Sequence, residues 1–132
     1  MGAPAAKDGD QITGVDTHIV MVPSGTALVP TPLPHPFAGQ LNGDLSSDVT
    51  IEQKAAATVG STADNSPQHL PTPPGTSFQS PPKNKGKITQ GSQTVKISGK
   101  AAARAGDAAE TCNDPADAPV GVVVATGTVL IG

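Results

Sequence analysis

One short mark occurs three times in this chain, and it limits the folds open to it. The copies are Ala5-Ala6-Lys7-Asp8-Gly9-Asp10, Ala56-Ala57-Thr58-Val59-Gly60-Ser61 and Ala101-Ala102-Ala103-Arg104-Ala105-Gly106-Asp107. Each has small residues, two variable positions, a glycine and a short oxygen-bearing side chain. A residue of metal-ligand type follows each: His18 eight places after Asp10, His69 eight after Ser61, and Cys112 five after Asp107. The flanks repeat too. Val49-Thr50-Ile51 recurs 46 residues on as Val95-Lys96-Ile97, and Thr128 to Gly132 is a third such segment. Pro30 to Phe37 is echoed by Pro71 to Phe78. Self-similarity at this spacing predicts a repeat architecture in which no unit buries its apolar face alone. The units run over about 5–54, 55–100 and 101–132, within one domain spanning 1–132.

The core of such a chain is thin. Phe37 and Phe78 are its only aromatics, and it holds 15 glycines and 14 prolines in 132 residues. A domain this poor in large apolar side chains needs a staple. One cysteine cannot make an internal disulfide, so the staple is a metal or a partner surface. The net charge is −3, with lysines and arginines scattered, so no basic stripe or stacking platform serves nucleic acid. No apolar run has membrane-spanning length, and Met1-Gly2 with Lys7 and Asp8 reads as a cytosolic start without a signal peptide.

The local patterns predict an all-β fold of short strands, sharp turns and long ordered loops, with no long helix. Thr17 to Val22, Leu28-Val29, Asp48 to Ile51, Val120 to Val124 and Thr128 to Ile131 read as strands. The alanine runs are too short to nucleate a helix. Ile88-Thr89 and Thr94 to Ile97 read as a hairpin about Gly91-Ser92-Gln93. Prolines at 30, 32, 34 and 36 exclude a central strand and favour a polyproline-like path. Thr62 to Gln68 and Ala108 to Asp117 read as loops, and Pro71 to Lys87 as the loosest stretch. Asp10 and Asp107 read as turn residues that accept backbone N–H bonds.

Three units about one axis would bring His18, His69 and Cys112 together, with His35 left to fill a fourth corner. Two or three imidazoles and a thiolate suit Zn²⁺, and four protein ligands make a closed structural site with no position for water. No Gly-x-Ser-x-Gly nucleophile and no phosphate-binding loop is present. The chain therefore reads as no enzyme.

Pro4-Ala5-Ala6-Lys7 and Ala101-Ala102-Ala103-Arg104, with the surrounding Thr94 to Asp107, resemble the Pro-Ala-Ala-Arg mark of the PAAR-repeat proteins. The resemblance implies a small cone of short β-strands with pseudo-threefold symmetry. It implies a structural zinc held by His18, His35, His69 and Cys112. It also implies a spike tip of a contractile injection machine, in type VI secretion or a phage tail-like particle. Such a tip caps a trimeric β-helical spike with one copy per trimer, sharpens it, and touches the target membrane in passing. It is made in the cytoplasm and ends outside the cell or in the target cell. The last strand closes the sequence, so no appended toxin domain is expected, and effector cargo would dock elsewhere. The alternative is a metal-stabilised adaptor that recruits an effector to the spike through the Pro-rich loops.

Overall fold

The computed structural model describes residues 2–132, and among these every regular element is a strand. In chain order they are β1 (Ala3–Pro4), β2 (Gln11–Ser24), β3 (Ala27–Gly43), β4 (Thr50–Ile51), β5 (Lys54–Ala55), β6 (Thr62–Asn65), β7 (Ser77–Phe78), β8 (Lys85–Ile88), β9 (Lys96–Ile97), β10 (Lys100–Ala101), β11 (Ala108–Thr111), β12 (Ala118–Val124) and β13 (Leu130–Ile131).

The marks close on one another in a ring. The Ala57 N–H donates to the Ala6 carbonyl, Ala103 to Ala57, and Ala6 to Ala103, at 3.0, 3.1 and 3.0 Å. A second cycle runs from Asp8 to Ala55, Val59 to Ala101 and Ala105 to Pro4, each at 2.9 Å. Ala6, Ala57 and Ala103 are fully buried at the centre, where three backbones meet and a larger side chain has no room. Gly9, Gly60 and Gly106 turn each mark at φ 90°, 98° and 90°, in the region that glycine alone enters freely. Each turn is tied by its oxygen-bearing residue. Asp10 Oδ2 accepts from Lys7 N, Ser61 Oγ from Thr58 N, and Asp107 Oδ2 from Arg104 N.

Below the ring lie three equivalent two-stranded edges: β4 with β5, β9 with β10, and β1 with β13. The C-terminal strand completes the edge begun at the N-terminus. Ile51, Ile97 and Ile131 pack there against Ala5, Ala56 and Ala102. Above the ring, each mark feeds one strand of a pair: β2 with β3, β6 with β8, and β11 with β12. The pairs join through β3–β6, β8–β11 and β12–β2 into a closed six-stranded ring. Closure removes the open sheet edges that a flat array would leave. Leu41, Ile88 and Val123 fill the inside at matching places, and Phe37 supplies the bulk.

Several expected elements take another form. The proline block lies within β3, paired along its length with β2. Its prolines occupy alternate positions, so their missing N–H groups all face the outer edge, where no strand pairs until Gly39 meets β6. The Ile88–Ile97 hairpin does not form. β8 pairs with β6 and β11, while β9 turns at Ser98-Gly99 onto β10. Buried Ser92 forces this: its Oγ accepts from Thr94 N and Val95 N and donates to the Gly132 carbonyl, which folds the segment onto the base. Strands also occupy Thr62–Asn65 and Ala108–Thr111, read above as loop, because each pairs on both sides in the closed ring.

Candidate metal centre

Strand alternation delivers the site. On β2 the even positions face inward, so Ile12, Asp16, His18 and Val20 are all buried. On β3 the odd positions do, bringing His35 directly opposite Asp16 and Phe37 one step below. His69 comes from the loop after β6. Its backbone N–H donates to Asn84 Oδ1 at 2.8 Å, and its Nδ1 accepts from Asn65 Nδ2 at 3.3 Å. Cys112 directly follows β11 and is 2% exposed.

The structure brings all four expected residues to one place. The rings of His18, His35 and His69 form a triangle with centroid separations of 5.4, 5.1 and 5.5 Å. Cys112 Sγ lies 3.6 Å from His18 Nε2. Phe78 of β7 covers the triangle, 5.9 Å from His18 and 5.3 Å from His35. A cavity of about 280 Å³, bordered by Lys83, Asn113, Asp114 and Asp117, opens onto His18 and Cys112.

Asp16 is the residue that sequence reasoning did not place in the site. Its side chain is fully buried in the middle of the cluster. Oδ2 accepts from His69 Nε2 at 2.7 Å and from Cys112 Sγ at 3.3 Å, and Oδ1 accepts from the Thr111 hydroxyl. A period-2 reading backward from His18 puts Asp16 on the same face, and that was the available signal.

The donors fit a borderline-soft divalent ion. One atom each from Asp16, His18, His69 and Cys112 all lie within 4.8 Å of one another. Metal–ligand bonds of 2.0–2.3 Å in a tetrahedron put donors about 3.3–3.8 Å apart, so a small contraction closes the site. His18 turns Nε2 towards the cluster, 3.6 Å from Cys112 Sγ and 3.9 Å from Asp16 Oδ2, while its Nδ1 lies on the far side of the ring, 3.5 Å from Asp114 Oδ2. His35 differs. Its Nδ1–H donates to the Leu33 carbonyl at 2.9 Å, and its Nε2 already accepts from Thr72 N at 3.2 Å. Burial lowers the His35 pKa, which keeps the ring neutral. Burial first, then the neighbouring Asp16 carboxylate, pushes the Cys112 thiol up to about 11. A metal ion would reverse that preference by taking the thiolate as ligand.

Residues 79–132 match the family model described as the PAAR motif. No curated protein matches the chain. The PAAR family is a structural one, associated with the spike tips of contractile injection systems. The matched segment holds the third mark, the β9–β10 edge, β13 and Cys112, so residues 79–132 carry the PAAR motif.

Proposed function

We propose that this protein caps the trimeric β-helical spike of a contractile injection system, one chain per trimer, and sharpens it for passage through a target envelope. One observation carries the reading: a single polypeptide offers three equivalent two-stranded edges around the alanine ring. A threefold partner needs three like surfaces, and here one monomer supplies them. Strand addition at those edges is a natural mode of contact. The test is to mix the protein with its trimeric spike and weigh the complex by native mass spectrometry. One chain per trimer is expected, and three chains per trimer would overturn the reading.

In the same reading a zinc ion pins the upper part, with His18, His69 and Cys112 as ligands and His35 or Asp16 as the fourth. Asp16 must give up its hydrogen bonds from His69 Nε2 and Cys112 Sγ, and His35 its hydrogen bond from Thr72 N–H. Zinc would supply folding energy in a closed site, and the donor count leaves no role in hydrolysis.

The adaptor reading has one observation in its favour. The outer wall of β12 exposes Val120, Val122 and Val124 beside Val15. The matching outer positions are Lys85 and Lys87 on β8, and Ala38 and Gln40 on β3. One wall of three is apolar, so a cargo protein could dock on one side while the base stays threefold.

A further inference from the structure

The β2–β3 hairpin does more than carry His18 and His35. The closed ring uses only its first rungs, Gln11 to Thr13 against β12 and Gly39 to Gly43 against β6. The two strands then continue together as far as Ser24 opposite Ala27. At 3.3 Å per residue, the run from His18 to Ser24 carries the turn about 20 Å past the metal cluster, away from the base. β7 lies along β2 at Val20 and Met21. Past that point, among the described residues, the strands from Val22 to Val29 pair only with each other.

Three features of this arm share one chemistry. From Thr17 to Gly43 there is no Asp, Glu, Lys or Arg. Its end is uncharged and open to solvent, a small Ser24-Gly25-Thr26 turn flanked by apolar residues of which Leu28 is 54% and Val29 45% exposed. Most of the N–H donors along its backbone edges are met or missing. On the outer side of β2, Thr17 N–H donates to Asn113 Oδ1 and Ile19 N–H to Asp114 Oδ2. The carbonyls of Ile19 and Met21 accept from Gln79 N and Thr76 N, and position 23 is proline. The β3 residues opposite Pro23, Met21, Ile19, Thr17 and Val15 are Leu28, Pro30, Pro32, Pro34 and Pro36, so all but one lack an N–H.

Water satisfies an open hairpin edge, and a single proline or lysine suffices to discourage a stray strand. Hydrocarbon is stricter: it penalises each charge and each unpaired backbone donor. A protein partner would ordinarily be met through a polar, charged rim, which the arm does not have. We propose that the Val22–Val29 end of this hairpin enters the hydrocarbon layer of a lipid bilayer, ahead of the metal cluster. The proposal rests on the spike-tip reading only for the direction from which a membrane is met.

The chain has no Trp and no Tyr, so Leu28→Trp installs a single reporter. The purified full-length variant, checked for parental circular dichroism, is titrated with phosphatidylcholine vesicles carrying brominated acyl chains. If Leu28→Trp does not fold, Val29→Trp serves. The expected result is a blue-shifted emission quenched by the bromines and insensitive to salt, since no charge is involved. Adding an aspartate at the other of the two positions should weaken partitioning on the order of 50-fold. Absent quenching, equal quenching with the aspartate, or binding only to anionic phosphatidylglycerol vesicles that salt abolishes would each overturn the proposal. So would an emission shift with the spike or a cargo protein but none with vesicles, which would make the arm a protein contact. Capping at one chain per trimer without insertion sinks this inference alone. Insertion without capping sinks only the spike-tip reading.

Discussion

The lower and upper halves of this molecule are built on different rules. Below, the main interactions come in threes: the alanine ring, the glycine turns, the oxygen caps and the isoleucines. Above, the strand pairs still come in threes, but the side chains of the buried polar cluster do not. His18, His35, His69, Cys112 and Asp16 come from unlike places, and one strand pair is drawn out into a long arm. Repetition gives the base a threefold surface from small side chains and backbone bonds. The upper half has no such redundancy, and a buried polar cluster holds it. The two halves should therefore fail differently when altered.

The largest effect is expected at the cluster. Purified protein should carry about one zinc per chain, and Cys112→Ser should carry little. A metal held at a thousand times its Kd contributes about 4 kcal/mol, so the variant should melt well below the parent. Equal metal content and equal melting would remove Cys112 from the ligand set. Metal-free protein gives a second readout. The folded thiol's pKa is raised from 9.0 to about 11, so folding favours the protonated form. Stability from this group is full below pH 9 and declines as pH rises towards 11. Cys112→Ser should flatten that decline.

The next effect lies on the axis. Ala57→Leu puts a large side chain where three backbones hydrogen-bond around a fully buried centre. Overpacking of this kind costs roughly 1–3 kcal/mol. Chemical denaturation should show the loss with zinc content unchanged, because the cluster is built on other strands. A parallel loss of zinc would mean that the halves are not separable. The smallest effect is at a single turn. Asp107→Ala removes the acceptor for Arg104 N and the partner of its guanidinium. A cost of about 1 kcal/mol is expected, as for other lost caps of backbone N–H groups. Ser61→Ala should cost a similar amount, because Ser61 caps the matching turn. A severalfold difference would show that the three turns are not equivalent.

The base was legible in the sequence because its physics is local and repeated. Gly9, Gly60 and Gly106 with their oxygen-bearing neighbours announce the turns, and Ile51, Ile97 and Ile131 announce the edges. The candidate ligands were legible as residue types at matching offsets. Asp16 was not, because it has no counterpart in the other units and its role depends on a partner far along the chain. The pairing of β12 with β2 was equally hidden, since closing a ring is set by packing between distant strands and not by either strand's own pattern. The proline block misled for a related reason. Proline excludes a strand only where both edges are used, and nothing local says which edge β3 leaves free.

The most direct test of the central claim is site-specific photocross-linking from the three equivalent base positions. A benzophenone side chain is placed in turn at Ala3, Lys54 and Lys100, and each variant is assembled with the trimeric spike. All three should label the same short segment of the spike chain, one protomer each. Labelling from only one position, or labels on three unrelated segments, would contradict the account of one chain standing in for a trimer.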